Sequence, residues 1–285
     1  MFSEWEAPTL AWWIAGLLIP AVFNLYLILT LPRPIPLQKK LPTVIFVLVC
    51  AYRAFFPNIY LKNVCLVGTS FSAIMLSRLL ATVGELSWVW LVTCSLRIVN
   101  SHLQNRRSIT FMSHLSFFLI FCAEIYSTIG TITKNSLFFT LEEGSWVVTG
   151  VFLLTPSIFM LYRDNQKVNG RKYENYLRIF AVTLFIYDIW GCTCDVPDNI
   201  NRYLSERDTV PSPWLSFSDG FSQAFDACKV DRTWETWSGY VLWMTGYFSL
   251  GVWSCVALSR LEHNCRDETT KGGGKGEPLL NNAVV

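Results

Sequence analysis

Long hydrophobic runs, separated by short polar segments, dominate the chain between residues 9 and 259. A hydrocarbon core about 30 Å thick is crossed by about 20 residues of helix, and seven runs reach or approach that length. They occupy residues 9–31, 43–61, 66–96, 109–132, 145–162, 176–193 and 237–259. The pattern predicts an all-α fold, a polytopic membrane bundle of seven transmembrane helices.

The charges between these runs predict an orientation. Lys and Arg concentrate after the first, third and fifth runs, whereas the alternate segments carry few cations or are acidic. Because cytoplasmic loops are enriched in Lys and Arg, the N-terminus is expected outside or in a lumen and the C-terminus in the cytoplasm. We therefore expect an integral membrane protein of the plasma membrane or an endomembrane.

Two polar regions complete the predicted organisation. Residues 1–263 form the seven-span domain, and within it the outer loop 194–236 is rich in Pro, Trp and Phe, as expected of a folded cap over the bundle. Phe221 and Phe225 are four residues apart there, which favours a short amphipathic helix. Residues 264–285 contain a Gly- and Lys-rich run and are expected to be a disordered cytoplasmic tail.

Composition excludes some classes of function. Over half of the residues are hydrophobic (52%), only 15% are charged, and the net charge of +2 is too small to indicate nucleic-acid binding. The three histidines show no metal-ligand spacing, so no metal and no cofactor is expected, although carboxylates alone remain an alternative set of metal ligands. An outer-loop disulfide between Cys194 and Cys228 is expected, with Cys65 as a third candidate.

Five charged residues lie inside the hydrophobic runs, where a lipid-facing helix has none: Arg53, Arg78, Glu85, Glu124 and Asp188. A charge at mid-bilayer costs about 3 kcal/mol on insertion scales, so such groups are paired, face protein or line a wet cavity. At about 1.5 Å per residue, Arg53 and Glu124 lie about 12 Å below the outer surface and Asp188 about 8 Å. The sequence therefore predicts one charged layer in the outer leaflet.

This layer admits a functional and a structural interpretation. Glu124 and Asp188 are the candidate catalytic residues, because a buried carboxyl with a raised pKa performs acid–base work. Arg53, Arg78 and Glu85 are the candidate ligand-binding residues, since an arginine fork matches a carboxylate or a phosphate. The structural alternative is a salt-bridge cluster that fixes the helix register.

The seventh run carries aromatic residues at helical spacing, namely Tyr240, Trp243 and Tyr247. They are expected either to anchor the helix at the membrane interface or to form an aromatic wall for an apolar ligand. Polar residues thin out on the cytoplasmic side of Arg78, which favours a pocket open to one side.

These patterns lead to one functional hypothesis and two alternatives. We expect a site in the outer leaflet that binds, and in an enzyme would modify, a lipid or another ligand with an anionic head group. The partners are then membrane lipids and a small-molecule or lipid ligand. A proton-coupled small-molecule transporter and a non-catalytic receptor or scaffold are the alternatives.

Overall fold

The computed structural model describes residues 5–31, 35–103, 106–164, 168–211, 213–226 and 228–260. For residues 102–103, 163–164, 168–176 and 179 it describes the backbone alone. The predicted tail at 264–285 lies outside the described residues.

Helices make up most of the described chain. Their bounds are α1 Ala7–Leu29, α2 Leu37–Phe55, α3 Ile74–Leu103, α4 Arg107–Thr133, α5 Ser136–Asp164, α6 Val168–Trp190, α7 Val196–Arg207, α8 Phe217–Phe225 and α9 Trp234–Arg260. A π-helical turn, Gly191–Asp195, joins α6 to α7, and another, Tyr247–Gly251, lies within α9.

Consecutive long helices pack side by side from α2 to α6, and α9 packs against α1 and α2. The short helices α7 and α8 lie on the bundle, α7 against α5 and α8 against α4 and α3. In α8, a Cβ at Gly220 would lie 1.8 Å from the carbonyl oxygen of Ile132, so only glycine allows α8 to approach the end of α4 this closely.

The protein is a helical membrane protein. Five of the helices are long and apolar enough to cross a membrane: α1, α3, α4, α5 and α9. Large apolar side chains point outward from them, including Leu29 (82% exposed) and Phe111 (65%), whereas Arg78 and Glu124 are buried at 2% each. An apolar exterior around a charged interior is the distribution expected in lipid.

The second and third predicted spans differ from the helices that the structure contains. We expected helices over 43–61 and 66–96, but α2 ends at Phe55 and α3 begins at Ile74. Pro57 disfavours helical geometry in the residue before it, and Phe56 has φ −125° and ψ 61°. The apolar residues that follow form strands instead of extending a helix.

Three short strands form a sheet: two lie in the connection between α2 and α3, and the third lies in the segment before α9. Strands β1 (Asn58–Ile59) and β2 (Val64–Cys65) are antiparallel, with Asn58 opposite Cys65, and β3 (Lys229–Val230) runs parallel to β2. The sheet therefore joins the connection between α2 and α3 to the segment that precedes α9.

A disulfide between Cys65 and Cys228 closes the same region. The predicted Cys194–Cys228 pairing is wrong: Cys194 is an exposed free thiol in the π-helical turn after α6. Pairing of β2 with β3 brings Cys65 to Cys228, whereas helical continuation of α6 holds Cys194 elsewhere. The spacing of the cysteines along the sequence does not reveal that strand pairing.

Candidate functional site

Arg78 lies at the centre of a buried network that joins α3, α4 and α5. Its guanidinium pairs with Glu124 and donates a hydrogen bond of 2.6 Å to the hydroxyl of Ser127, both on α4. Glu85, seven residues along α3, and Glu142 on α5 each lie 3.4 Å from its nitrogens. One arginine therefore holds three carboxyl groups from three helices.

Arg53 on α2 is the second cation of the network, and its setting is different. Its Nη1 lies 3.6 Å from Oε1 of Glu85. Aromatic rings cover the remainder of the guanidinium, with centroids 5.8 Å away for Tyr60, 5.7 Å for Trp243, 5.5 Å for Tyr247 and 5.4 Å for Phe248. Ring faces attract a cation, most strongly where water is excluded.

Glu85 connects the two arginines and also contacts α9. Its Oε1 accepts a hydrogen bond of 3.1 Å from the hydroxyl of Tyr247, and Oε2 lies on the Arg78 side. Tyr247 is the first residue of the π-helical turn in α9. Such turns are rare and occur frequently at functional sites, because the extra residue redirects a side chain.

The network contains more acids than bases. Glu85, Glu124 and Glu142 face Arg53 and Arg78, so full ionisation would leave one negative charge in excess. Glu85 and Glu124 also share one nitrogen of Arg78, because Oε2 of each carboxyl group faces its Nη2. Two negative charges held so close together repel each other, which favours a proton on one of the two groups. Such a proton would balance the charge of the network.

Tyr60 covers both arginines at the end of the bundle where α2 and α4 end. Its ring lies 5.8 Å from the guanidinium carbon of Arg53 and 5.9 Å from that of Arg78. Lys134, between α4 and α5, donates a hydrogen bond of 2.7 Å from Nζ to the Tyr60 carbonyl. Burial lowers the pKa of Lys134 to about 8. The backbone of Tyr60 is thus held by an amine that is less basic than an ordinary lysine.

Further carboxyl groups lie beside this network, on α5 and in the turn that follows α6. A Cβ at Gly191 would lie 2.5 Å from a methyl carbon of Val147, so α5 and the end of α6 are in close contact there. One helical turn further toward the start of α5, the antiparallel packing brings Glu143 opposite Asp195. Asp195 is partly exposed, and burial raises the pKa of its carboxyl group. Glu143 adjoins Glu142, which pairs with Arg78.

Asp188 does not join the network. It is buried, at 7% exposure, but it lies in the contact between α6 and α5, against Gly150. Neither of its carboxyl oxygens has a hydrogen-bond partner among the described residues. The sequence placed Asp188 at the depth of the other charges, but depth does not specify the face of α6 from which it projects.

The predicted aromatic wall divides in the same way. Trp243 and Tyr247 stack on each other, with ring centroids 5.4 Å apart, and both lie over Arg53. Tyr240 lies nearer the start of α9, and the centroid of its ring is 5.6 Å from Nζ of Lys62. The site contacts recorded for the described residues therefore include Trp243 and Tyr247 and leave out Tyr240.

The candidate residues chosen from the sequence did not include Glu142, which lies just before the predicted span at 145–162. The signal was the hairpin of α4 and α5, joined by Lys134 and Asn135. Glu124 lies nine residues before the end of α4 and Glu142 six residues after the start of α5, so antiparallel packing brings them to similar depth.

The chain matches no model of a known protein family, no curated protein and no solved structure. Within the described ranges, no group of three or more His, Cys, Asp or Glu side chains is placed to hold a metal ion. Arg78 itself pairs with the three carboxyl groups of the network.

Proposed function

We propose that this is a seven-span membrane protein, with its N-terminus outside, whose buried network binds and exchanges a proton with a lipid-soluble ligand that carries a basic polar group. The observation that carries the proposal is the excess of acid: three carboxyl groups face two arginines, and two of the carboxyl groups share one guanidinium nitrogen of Arg78. Such a site is neutral with one proton, or with one bound cation in place of that proton.

The occupancy of the arginines supports a basic rather than an anionic head group. Arg78 already contacts Glu124, Glu85 and Glu142, and it also donates to Ser127. An incoming phosphate would have to displace those carboxylates and leave them buried without a cation, which is strongly unfavourable. A protonated amine would instead take the place of the proton on Glu85 or Glu124.

The aromatic residues near Arg53 supply an apolar wall for the rest of the ligand. Trp243 is 37% exposed, so its indole extends from the network to the surface of the bundle. Pockets for lipid-soluble ligands are lined mainly by such rings, with a few polar groups that fix the orientation. We assign the alkyl part of the ligand to this surface, with its basic group toward Glu85 and Glu124.

Access from the outer side is favoured over a path through the membrane. The acids Asp195, Glu143 and Glu142 lead from the partly exposed outer end toward Arg78. On the inner side of Glu85, the hydrogen bonds of the described residues do not connect the buried hydroxyls of Thr43 and Ser113 to the network, because each donates to a carbonyl of its own helix. This one-sidedness supports a ligand or enzyme site more than the transport alternative.

The test compares amphiphiles that differ in head group alone. Full-length protein in lipid nanodiscs is incubated with a dodecyl chain that carries an amine, a phosphate or a hydroxyl group, and thermal unfolding is recorded. We expect the amine alone to raise the unfolding midpoint and to release about one proton on binding. The effect of the amine should weaken in acid, because protons compete for the same carboxyl pair.

Two variants give this comparison its control. Glu124→Gln removes one acid of the carboxyl pair and should abolish the response to the amine, whereas the exposed Asp208→Asn should retain it. A stronger response to the phosphate would overturn the proposal in favour of an anion site. Equal responses of the wild type and Glu124→Gln would identify the network as purely structural.

A further inference from the structure

Asp188 is a buried carboxyl group that the proposed ligand site does not use. It lies on α6 at 7% exposure, and neither carboxyl oxygen has a hydrogen-bond partner among the described residues. A Cβ built on Gly150 of α5 would be 1.8 Å from its Oδ1, so the carboxyl group lies directly against the backbone of the neighbouring helix. The absence of a side chain at residue 150 creates the space for it.

No ion pair among the described residues includes Asp188, and Arg78 on α3 is engaged by Glu124, Glu85 and Glu142. The described ionisable residues of α5 are Glu142, Glu143 and Tyr162, and those within seven residues of Asp188 along the chain are Tyr187, Cys192, Cys194 and Asp195. None of these groups can carry a positive charge.

Asp188 also lies close to the lipid-facing surface. The apolar residues beside it on α6 point outward, with Phe185 at 54%, Ile186 at 62% and Ile189 at 47% exposure. An ionised carboxylate in such a place, without a hydrogen bond or a cation, is so costly that the group takes up a proton instead.

We propose that Asp188 is a second proton-binding site, protonated at neutral pH, which a hydrophobic carboxyl reagent reaches from the lipid side. The site is independent of the proposed ligand site, because Asp188 contacts neither the arginines nor the carboxyl pair. A lipid-soluble carbodiimide is the matching chemical probe, because it reacts with carboxyl groups in their protonated form.

The reaction with the probe conserves every atom. The carboxyl proton moves to one nitrogen of the carbodiimide while a carboxyl oxygen forms a bond to the central carbon, and one C=N bond becomes a C–N bond. The acyl group then migrates from that oxygen to the neighbouring nitrogen, giving a stable N-acylurea. Nothing leaves, so the peptide gains the mass of one carbodiimide molecule and no oxidant or reductant is needed.

The experiment uses the full-length protein in lipid nanodiscs at about pH 7, well above the ordinary carboxyl pKa of about 4. Infrared difference spectra between the wild type and Asp188→Asn test the proton. We expect the variant to lose one carbonyl-stretch band of a protonated carboxyl group; an unchanged band would overturn the proposal. Asparagine has the shape of the protonated acid, so the variant should also keep the wild-type unfolding midpoint.

Peptide mapping after treatment with dicyclohexylcarbodiimide tests the access from lipid. We expect the adduct on the peptide that contains Asp188, and a lower yield as the pH rises; no adduct there would overturn the lipid-side access. Amine binding by Asp188→Asn separates the two sites, because a variant that lacks the infrared band and still binds the amine has lost only the second proton site. The exposed Asp226→Asn is the matched control and should change none of these measurements.

Discussion

Arg78 and Glu124 form an ion pair between α3 and α4 in the interior of the bundle, where both side chains are almost fully buried. The pair is the centre of a larger network, since Glu85 and Glu142 lie 3.4 Å from the same guanidinium. A buried pair is by itself weak support for function. The excess of acid around this pair is what distinguishes it from a structural salt bridge.

Removal of the central cation should be strongly destabilising. Arg78→Met leaves three buried carboxyl groups with Arg53 alone, and loss of one partner of a buried pair costs about 3–5 kcal/mol. Arg78→Lys should recover little of this loss, because an ammonium cannot reproduce contacts made by two separate guanidinium nitrogens. Thermal unfolding in detergent measures both. The exposed Arg207, paired with Asp208, provides the control, and Arg207→Met should leave the midpoint unchanged.

The Cys65–Cys228 disulfide should stabilise the fold, whereas Cys194 should not. Replacement of Cys65 by Ser should lower the free energy of unfolding by about 2–5 kcal/mol. Addition of a reductant should lower the free energy of unfolding of the wild type by a similar amount. Cys194→Ser is the matched control. A non-reducing peptide map that joins Cys194 to Cys228 would contradict the structure directly.

Gly150 should be intolerant of a methyl group because of Asp188. Gly150→Ala places a Cβ 1.8 Å from the present position of Oδ1, so the carboxyl group must move. We expect a lower unfolding midpoint, and a partial recovery in the double variant Gly150→Ala/Asp188→Ser, which shortens the displaced side chain. Gly144→Ala on the same helix meets no atom within 4 Å and should be neutral or slightly stabilising.

Lys134 should make stability depend on pH in the alkaline range. Its pKa is lowered by burial from 10.5 to about 8, so between these values the unfolded chain binds a proton that the folded protein does not. Stability should therefore rise as the pH increases from about 8 to about 10.5, and this gain is lost as the pH falls again. Lys134→Met should lack this rise. Paired unfolding curves across the range measure the difference, and parallel curves would contradict it.

The sequence was sufficient to predict the membrane class and to select four charged residues that the structure brings together, namely Arg53, Arg78, Glu85 and Glu124. Hydrophobic length identifies the helices, and the residue rise predicts that Arg53 and Glu124 lie in one layer. The structure joins both to the network, through Glu85 and Arg78. Charged residues in the hydrophobic runs come together because a charge that is removed from water is stabilised by a partner of opposite charge.

The sequence did not predict which face of each helix points into the bundle. Asp188 was expected in the charged layer but lies against Gly150, and Glu142, which was not among the candidate residues, contacts Arg78. Both outcomes depend on the rotation of α5 and α6 about their axes, which packing determines. The Cys65–Cys228 pairing was equally hidden, since it follows from a strand pairing across 163 residues.

The proton proposed for Glu85 and Glu124 would make the site sensitive to the voltage across the membrane. The proposed topology puts this pair within the bilayer, so a proton that enters or leaves from the outer side crosses part of the transmembrane voltage. A full crossing of about 100 mV by one elementary charge corresponds to about 2.3 kcal/mol, and a partial crossing to the matching fraction. Membrane potential would then change the occupancy of the site at constant pH, and the protein would respond to voltage without a single moving helix.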